Sequence, residues 1–141
     1  MKLFFDTSAL IKNYMEEKGS DRVGELMEDA EKVIVAPTLE IECASTLSRM
    51  HKGGAYTRAE ANELFGDIEM DVRFFDRVPF NPELEDASVR ATFDHNLRAL
   101  DSIQLGAAIL RRDEIDRFVS CDKNLLAAAK KEKFQVEDPT E

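Results

Sequence analysis

The stretch KLFFDTSAL, residues 2–10, decides the fold prediction. Residues 3–5 form a continuous apolar run, which is typical of a strand buried on both faces of a parallel sheet. Asp6 follows at once, and an apolar helix begins at Thr7. A carboxylate at the end of a core strand costs free energy unless something compensates it, and open α/β sheets bind ligands at that edge. The stretch therefore predicts an α/β fold and a functional role for Asp6.

Strands and helices alternate along the rest of the chain. Further strands are predicted near residues 33–36, 73–78, 118–121 and 134–136, and helices near 7–15, 20–32, 37–52, 57–71, 81–93, 97–112 and 122–133. Capping residues mark several helix starts, such as the capping box of Thr57 and Glu60. The alternation predicts a three-layer domain with a mainly parallel central sheet of four to five strands flanked by helices.

Size and charge limit the class of protein. A chain of 141 residues with 43% hydrophobic and 34% charged residues is typical of a soluble, single-domain protein. We predict one domain over residues 1–137 and a frayed tail at 138–141. The formal net charge of -10 excludes a protein that holds nucleic acid through a broad basic surface, but not an enzyme with a small basic rim.

Cysteine, histidine and hydropathy patterns exclude further classes. Cys43 and Cys121 lie in apolar contexts without metal-ligand spacing, which predicts buried, reduced thiols and a cytoplasmic location. His51 and His95 pair neither with each other nor with a cysteine, so a structural zinc site is not expected. No apolar run reaches the ~20 residues needed to cross a bilayer, and the N-terminus does not resemble a signal peptide. No membrane partner is predicted.

Four carboxylates occupy unusual positions. Asp6 and Asp122 each follow a predicted strand, while Glu42 and Asp101 lie near helix starts. Glu42 borders the apolar stripe of its helix, whereas Glu40 is turned to the solvent side at ~100° per residue. In a parallel sheet, strand ends and the following helix starts share one rim. We therefore predict that the four carboxylates converge and that Glu40 does not join them.

Each acid also has an ordinary structural explanation. Asp122 has the position of a helix N-cap. Asp101 lies in a first helical turn, where the helix dipole favours a carboxylate. Glu42 is placed to form a boundary salt bridge with Arg49, one heptad along the helix. Any one acid alone is weak evidence for a site, and the argument depends on their joint placement.

Converging carboxylates predict a metal site. Without a counter-ion, one or more of them should have a raised pKa. A hard divalent cation relieves the repulsion, and Mg²⁺ or Mn²⁺ suits an all-carboxylate, water-completed site better than Zn²⁺. Such a site suits phosphodiester hydrolysis. Ser8 and Ser120 are candidates to orient the carboxylates or water, and Lys12, Arg49 or Arg111 to bind substrate phosphate.

Four segments of the chain resemble the PIN-domain ribonucleases, in particular the compact VapC-type toxins of toxin–antitoxin pairs. They are LFFDTSAL at 3–10, APTLEIE at 36–42, LDSIQLGAA at 100–108 and VSCDKNL at 119–125. The second segment matches the family's acid at Glu42, not at Glu40. Ser120 stands where the family more often has threonine, and Gly106 where alanine is commoner. Neither departure removes an acid.

The resemblance implies a PIN-like fold and a metal-dependent endoribonuclease that acts on RNA and leaves 5′-phosphate and 3′-hydroxyl ends. Asp6 and Asp101 would be the main ligands of Mg²⁺ or Mn²⁺, with Glu42 and Asp122 completing the catalytic cluster, partly through water. It also implies a homodimer and a cognate antitoxin whose tail blocks the cleft. The helices around Gly53 offer an apolar face for the dimer, with Tyr56, Leu64, Phe65 and Ile68.

Two further hypotheses are another metal-dependent phosphoryl-transfer protein, of phosphatase or receiver type, and a non-catalytic scaffold. A Mg²⁺-dependent phosphatase of the haloacid dehalogenase type needs a second aspartate two residues after the first, where this chain has Ser8. A response-regulator receiver is disfavoured because no adjacent acidic pair precedes a phospho-acceptor strand in this chain. A non-catalytic PIN-like scaffold would use the four acids only as caps and ion pairs, and it predicts no specific response to manganese.

Overall fold

A computed structural model describes the whole chain, residues 1–141, with five strands and seven α-helices. The strands are β1 Lys2–Phe5, β2 Lys32–Val35, β3 Asp76–Arg77, β4 Arg117–Val119 and β5 Val136–Glu137. The helices are α1 Thr7–Leu10, α2 Ser20–Asp29, α3 Leu39–Lys52, α4 Arg58–Val72, α5 Pro82–His95, α6 Ala99–Leu110 and α7 Lys123–Lys131. α1 is shorter than predicted because it tightens into a 3-10 helix at Ile11–Tyr14. None of the helices has the length and hydropathy needed to span a membrane.

All strand pairs are parallel, in the order β3-β2-β1-β4-β5, which confirms the predicted α/β fold. Leu3 on β1 lies opposite Val33 on β2 and opposite Arg117 on β4. The chain adds strands on one side of β1 as far as β3, then crosses to the other side with β4. This reversal places the carboxyl ends of β1 and β4 side by side, which is where α/β sheets bind ligands.

The sheet separates the core into two layers. Successive side chains of a strand point to opposite faces, so Leu3 and Phe5 enter one apolar cluster and Phe4 enters the other. α2, α3 and α4 contribute to the first cluster, and α5, α6 and α7 to the second. Across the second layer Phe4 stacks on Phe118 of β4 with ring centroids 5.1 Å apart. Helices therefore cover both faces, as the continuous apolar strands predict.

α5 and α6 pack in close contact around Gly106. A Cβ atom on Gly106 would lie 2.7 Å from Ser88 Oγ and 2.9 Å from Ser88 N on α5. The neighbouring Ala107 and Ala108 are also fully buried. These small residues allow α5 and α6 to approach closely, which fixes α6, the helix that carries Asp101 in its first turn.

Two predicted strands differ from those observed. β3 covers only Asp76–Arg77, because α4 continues to Val72 and the next residues bond into its last turn. β5 begins at Val136, two residues later than predicted, since Phe134 turns its ring onto Phe118 at a centroid distance of 5.9 Å. At β3 local hydrogen bonds of the helix end override the strand pattern, and at β5 a tertiary contact does so.

The apolar face predicted for dimerisation is largely internal. Ile68 is fully buried in the first core cluster. The other three side chains are partly buried against the same cluster: Tyr56, Leu64 and Phe65. Ile68 is not available for a dimer contact, because α4 packs it against the core. The other three side chains stay partly exposed, and a dimer contact at this face stays a prediction. Large exposed apolar side chains lie elsewhere, for example Phe74 and Phe93.

The last four residues, for which the sequence predicts fraying, form a turn in this structure. The backbone N–H of Thr140 donates to Asp138 Oδ1 at 2.9 Å, and the Thr140 hydroxyl donates to the same oxygen at 2.6 Å. Pro139 is buried. Its carbonyl approaches Gly19, which has a positive φ of 94° and could not carry a side chain there without strain.

Candidate active site

A cleft opens at the carboxyl edge of the sheet, where β1 and β4 end. Its volume is about 230 Å³, and its lining includes all four predicted acids: Asp6, Glu42, Asp101 and Asp122. Two of them follow the ends of β1 and β4, and two lie in the first turns of α3 and α6. The shared rim of strand ends and helix starts thus brings these side chains to one cleft.

Asp6 is held by two hydroxyl groups. Ser8 Oγ donates to Asp6 Oδ2 at 2.5 Å, and Ser120 Oγ donates to the same oxygen at 2.8 Å. The serines are themselves fixed by backbone N–H groups, of Cys121 to Ser8 Oγ at 3.1 Å and of Asp122 to Ser120 Oγ at 3.0 Å. Both serines therefore orient the buried carboxylate, as the sequence predicts.

Glu42 is oriented by residues that sequence reasoning did not assign to the site. Thr38 Oγ1 donates to Glu42 Oε1 at 2.6 Å, and Gln104 Nε2 donates to the same oxygen at 2.9 Å. Gln104 is buried, and its Nε2 also donates to Thr7 Oγ1 at 3.1 Å. The sequence does carry a signal for Gln104, since it is a polar residue on the otherwise largely apolar α6, three residues after Asp101 and therefore on the same side of the helix.

Each acid keeps at least one carboxylate oxygen free of hydrogen bonds from the protein. Asp6 accepts only at Oδ2 and Glu42 only at Oε1. Asp122 accepts only at Oδ1, from the backbone N–H of Leu125, which makes it the predicted N-cap of α7. Asp101 accepts no hydrogen bond. In Asp6, Glu42 and Asp122 one carboxylate oxygen is held by hydrogen bonds from the protein. In all four acids another oxygen remains available for a ligand.

None of the four acids takes part in an ion pair, although the more distant charge of Arg98 acts to lower the pKa of Asp101. Burial raises the pKa of Asp6 to about 6, against the lowering effect of its serine hydrogen bonds. Burial, followed by the charges of Asp122 and Asp6, raises the pKa of Asp101 to about 6. Burial also raises the pKa of Glu42. The predicted rise in carboxyl pKa is therefore present.

Only one of the three cations nominated for substrate phosphate borders the cleft. Arg111 lies at the other end of α6, ~15 Å along the helix from Asp101, and binds Asp76. Its assignment to substrate phosphate is wrong, because it lies at the C-terminal end of α6, away from the cleft, and is paired with acids there. Lys12 is committed to Glu17 at 2.8 Å. Arg49 lines the cleft.

The positions of Glu40 and Arg49 show whether the side-chain directions predicted along α3 are correct. Glu40 lies outside the cleft, as predicted, but it forms an ion pair with Arg77 of β3 instead of pointing freely into solvent. Arg49 donates to Ser45 Oγ at 2.6 Å and makes no ion pair with Glu42. The boundary salt bridge that would have explained Glu42 is not formed.

The donor set fits a hard divalent cation in its chemistry. Four carboxylates with free oxygens and no cationic partner are the ligands that Mg²⁺ and Mn²⁺ prefer. In the present arrangement no group of three or more His, Cys, Asp or Glu side chains could hold a metal ion. An ion would have to draw the carboxylates together, and their assignment as metal ligands stays a prediction.

We predict that Asp6 makes the stability of the metal-free protein depend on pH. Its folded-state pKa of about 6 exceeds the ordinary value of 3.8. The stability that its proton brings is complete below the ordinary value and is lost as pH rises through the folded pKa. As pH rises from about 4 to about 7, the unfolding free energy of Asp6→Asn should therefore increase relative to that of the parent, by up to about 3 kcal/mol.

Urea unfolding at a series of pH values, in chelator, measures this difference. Asp67→Asn removes an exposed carboxylate from α4 and serves as the matched control. A difference between Asp6→Asn and the parent that stays constant across this range would contradict the prediction.

Comparisons with known proteins bear on the fold and the family. The family model described as "PIN domain" matches residues 3–131. The structure of PAE2754 from Pyrobaculum aerophilum superposes with a TM-score of 0.72 at 18% identity, covering 99% of this chain and 90% of that one. A toxin–antitoxin complex from Klebsiella pneumoniae gives 0.70 at 16% identity, with 98% of each chain covered.

VapC20 of Mycobacterium tuberculosis, described as a Sarcin-Ricin loop cleaving toxin, is a third structural relative. Its TM-score is 0.62 at 14% identity, with 90% of this chain and 95% of that one covered. At these identities the likeness shows the fold alone. No curated protein sequence matches the chain. The family model, however, covers most of the residues, including all four acids of the cleft. The chain belongs to the PIN-domain family.

Proposed function

We propose that this protein is a Mg²⁺- or Mn²⁺-dependent endoribonuclease and the toxin of a VapBC-type toxin–antitoxin pair. The observation that carries the proposal is the acidic cleft, in which four carboxylates each keep an oxygen free and none has a cationic partner. Asp6 and Asp101 are the main metal ligands in this proposal. Glu42 and Asp122 complete the set, partly through water.

Each residue of the cleft has a separate role in the proposed hydrolysis. A bound divalent cation supplies positive charge for the scissile phosphate and lowers the pKa of a water molecule. Asp6, fixed at Oδ2 by Ser8 and Ser120, presents Oδ1 in a constant position. Asp101 has no hydrogen bond to hold it and can adjust to the ion. Glu42, anchored at Oε1 and raised in pKa by burial, takes the proton of the attacking water at Oε2.

An antitoxin partner is supported by the structural relatives. They include VapBC2 from Rickettsia felis, bound to a DNA fragment from its promoter, and FitAcB from Neisseria gonorrhoeae. Each covers at least 97% of this chain. We infer that a cognate antitoxin binds this protein and covers the cleft, and that the protein acts as a homodimer. The free thiols of Cys43 and Cys121 fit a reducing cytoplasm.

The proposal predicts RNA cleavage that needs a divalent ion. Purified protein with Mn²⁺ should cut single-stranded RNA to products with 5′-phosphate and 3′-hydroxyl ends, and chelator should stop the reaction. The product ends are identified by labelling with and without prior phosphatase treatment. Products with a 2′,3′-cyclic phosphate, formed equally in chelator, would contradict the proposal because the RNA 2′-hydroxyl would then be the nucleophile.

A non-catalytic scaffold is the second candidate, favoured by the absence of a ready-assembled group of three metal-ligand side chains. The two candidates differ in their response to manganese. A nuclease that binds the ion only when folded gains RT ln(1 + [L]/Kd), which is about 2.7 kcal/mol at a hundred times Kd. A scaffold gains nothing beyond the general effect of ionic strength, which K⁺ at matched ionic strength reproduces.

A further inference from the structure

A second cavity adjoins the acidic cleft. Its volume is about 470 Å³, and it shares Asp101 and Asp122 with that cleft, so the two form one continuous groove. The volume lies within the range of ~300–1,000 Å³ found for small-molecule sites. The rest of its lining comes from the turn between α5 and α6 and from one face of α7. The groove thus extends from the four carboxylates across the start of α6.

This cavity carries the positive charge that the four carboxylates lack. Arg98 and Lys131 line it, and neither takes part in an ion pair. Neighbouring Arg112 is different, since it is committed to Glu132. In a protein with a net charge of -10, the cations Arg98 and Lys131 lie beside the acidic cleft without a salt-bridge partner. They favour an anionic group at this position.

His95 provides an independent sign of a ligand. Its side chain is 8% exposed and lines the cavity, and its Nε2 lies 2.7 Å from Glu132 Oε2. Its Nδ1 is buried and has no hydrogen-bond partner. Leaving such an atom unpaired costs free energy. The amides of Asn96 and Asn124 line the same cavity, so donors and acceptors for a heterocycle accompany the two cations.

We propose that this cavity, which we call the flanking subsite, holds one nucleotide of the RNA next to the scissile phosphate. Arg98 and Lys131 bind the phosphate of that nucleotide, and His95 with the two asparagine amides contacts its base. The assignment rests on the proposed function, because the acidic cleft is taken as the place of cleavage. Arg49 also lines the acidic cleft and forms no ion pair. In this proposal it lies where the RNA chain continues beyond the scissile phosphate.

Lys131→Ala and its neighbour Lys130→Ala test the phosphate contact. Both lysines are exposed on α7, but only Lys131 lines the flanking subsite. Binding of a fluorescent single-stranded RNA of randomised sequence is measured by anisotropy in chelator, so that no cleavage is needed. Lys131→Ala should weaken binding about tenfold and reduce the slope of log Kd against log salt by about 1. Lys130→Ala should match the parent.

Equal binding by the two lysine variants, or no binding of RNA by the parent, would overturn the flanking subsite. A second variant, His95→Gln, should change the order of affinities for oligo(A), oligo(C), oligo(G) and oligo(U), which a purely structural histidine would not do. Cleavage with Mn²⁺ is scored separately. If Lys131→Ala weakens binding but the parent cuts no RNA, binding of a nucleotide in this cavity stands, while the ribonuclease proposal and the position next to a scissile phosphate fail.

Discussion

Asp101→Asn is expected to lower RNA cleavage by several orders of magnitude while leaving the metal-free protein as stable as the parent or more stable. Burial and the charges of Asp122 and Asp6 disfavour the ionised Asp101 side chain, and no hydrogen bond offsets that cost. The amide has nearly the same shape and no charge, so the repulsion is relieved. The same change removes a free carboxylate oxygen, so metal affinity and activation of water are lost.

Thermal melts of parent and variant, in chelator and in Mn²⁺, test the stability half of this prediction. The parent should be stabilised by the ion through mass action on the folded state, and Asp101→Asn much less. Asp113→Asn, an exposed carboxylate beyond the other end of α6, is the matched control and should respond to Mn²⁺ as the parent does. Equal shifts for the parent and Asp101→Asn would show that Asp101 is not a ligand.

Gly106→Ala should destabilise the fold by about 1–3 kcal/mol, the range observed for overpacked cores. The added Cβ would stand 2.9 Å from the backbone nitrogen of Ser88 and 3.1 Å from its Cα. A rotamer change could move the Ser88 hydroxyl away, but the backbone of α5 cannot follow without separating from α6. A residue that usually favours helices is therefore expected to weaken this one.

Gly66→Ala gives the opposite expectation and is the matched control. Gly66 lies inside α4, and a Cβ atom there would meet no atom within 4 Å. The same substitution should then stabilise by about 0.5–1 kcal/mol through helix propensity. Urea unfolding of both variants measures the two signs. A stabilised Gly106→Ala protein would mean that α5 and α6 separate easily, against the packing described above.

The general position of the candidate site could be predicted because local patterns determine it. A continuous apolar run fixes β1, and the residue after a parallel strand must lie at the carboxyl edge, which places Asp6 and Asp122 together. Helical periodicity distinguishes Glu42 from Glu40, since the two differ in direction on α3. These inferences use only neighbours in sequence and the known period of each element.

What the sequence could not provide depends on contacts between distant segments. The roles of Thr38 and Gln104 as donors to Glu42 require the packing of α3 against α6. The sequence alone makes Arg111 a plausible phosphate ligand. In the structure its guanidinium is bound by Asp76, 35 positions away. The local sequence around Ile68 does not show whether this side of α4 faces solvent or the core. Contacts between distant segments decide such cases, and the local sequence pattern carries no information about those contacts.

The pairing of β1 with β4 also sets the order of assembly during synthesis. Asp6 is made early, but Ser120, which donates to its carboxylate, follows 114 residues later. A chain translated only through α6 holds Asp6, Glu42 and Asp101 but lacks both β4 and Asp122. Contacts at such separation close a long loop and form late in folding. On the proposed function, nuclease activity therefore begins only after the chain has been made through Asp122 and β4 has paired with β1.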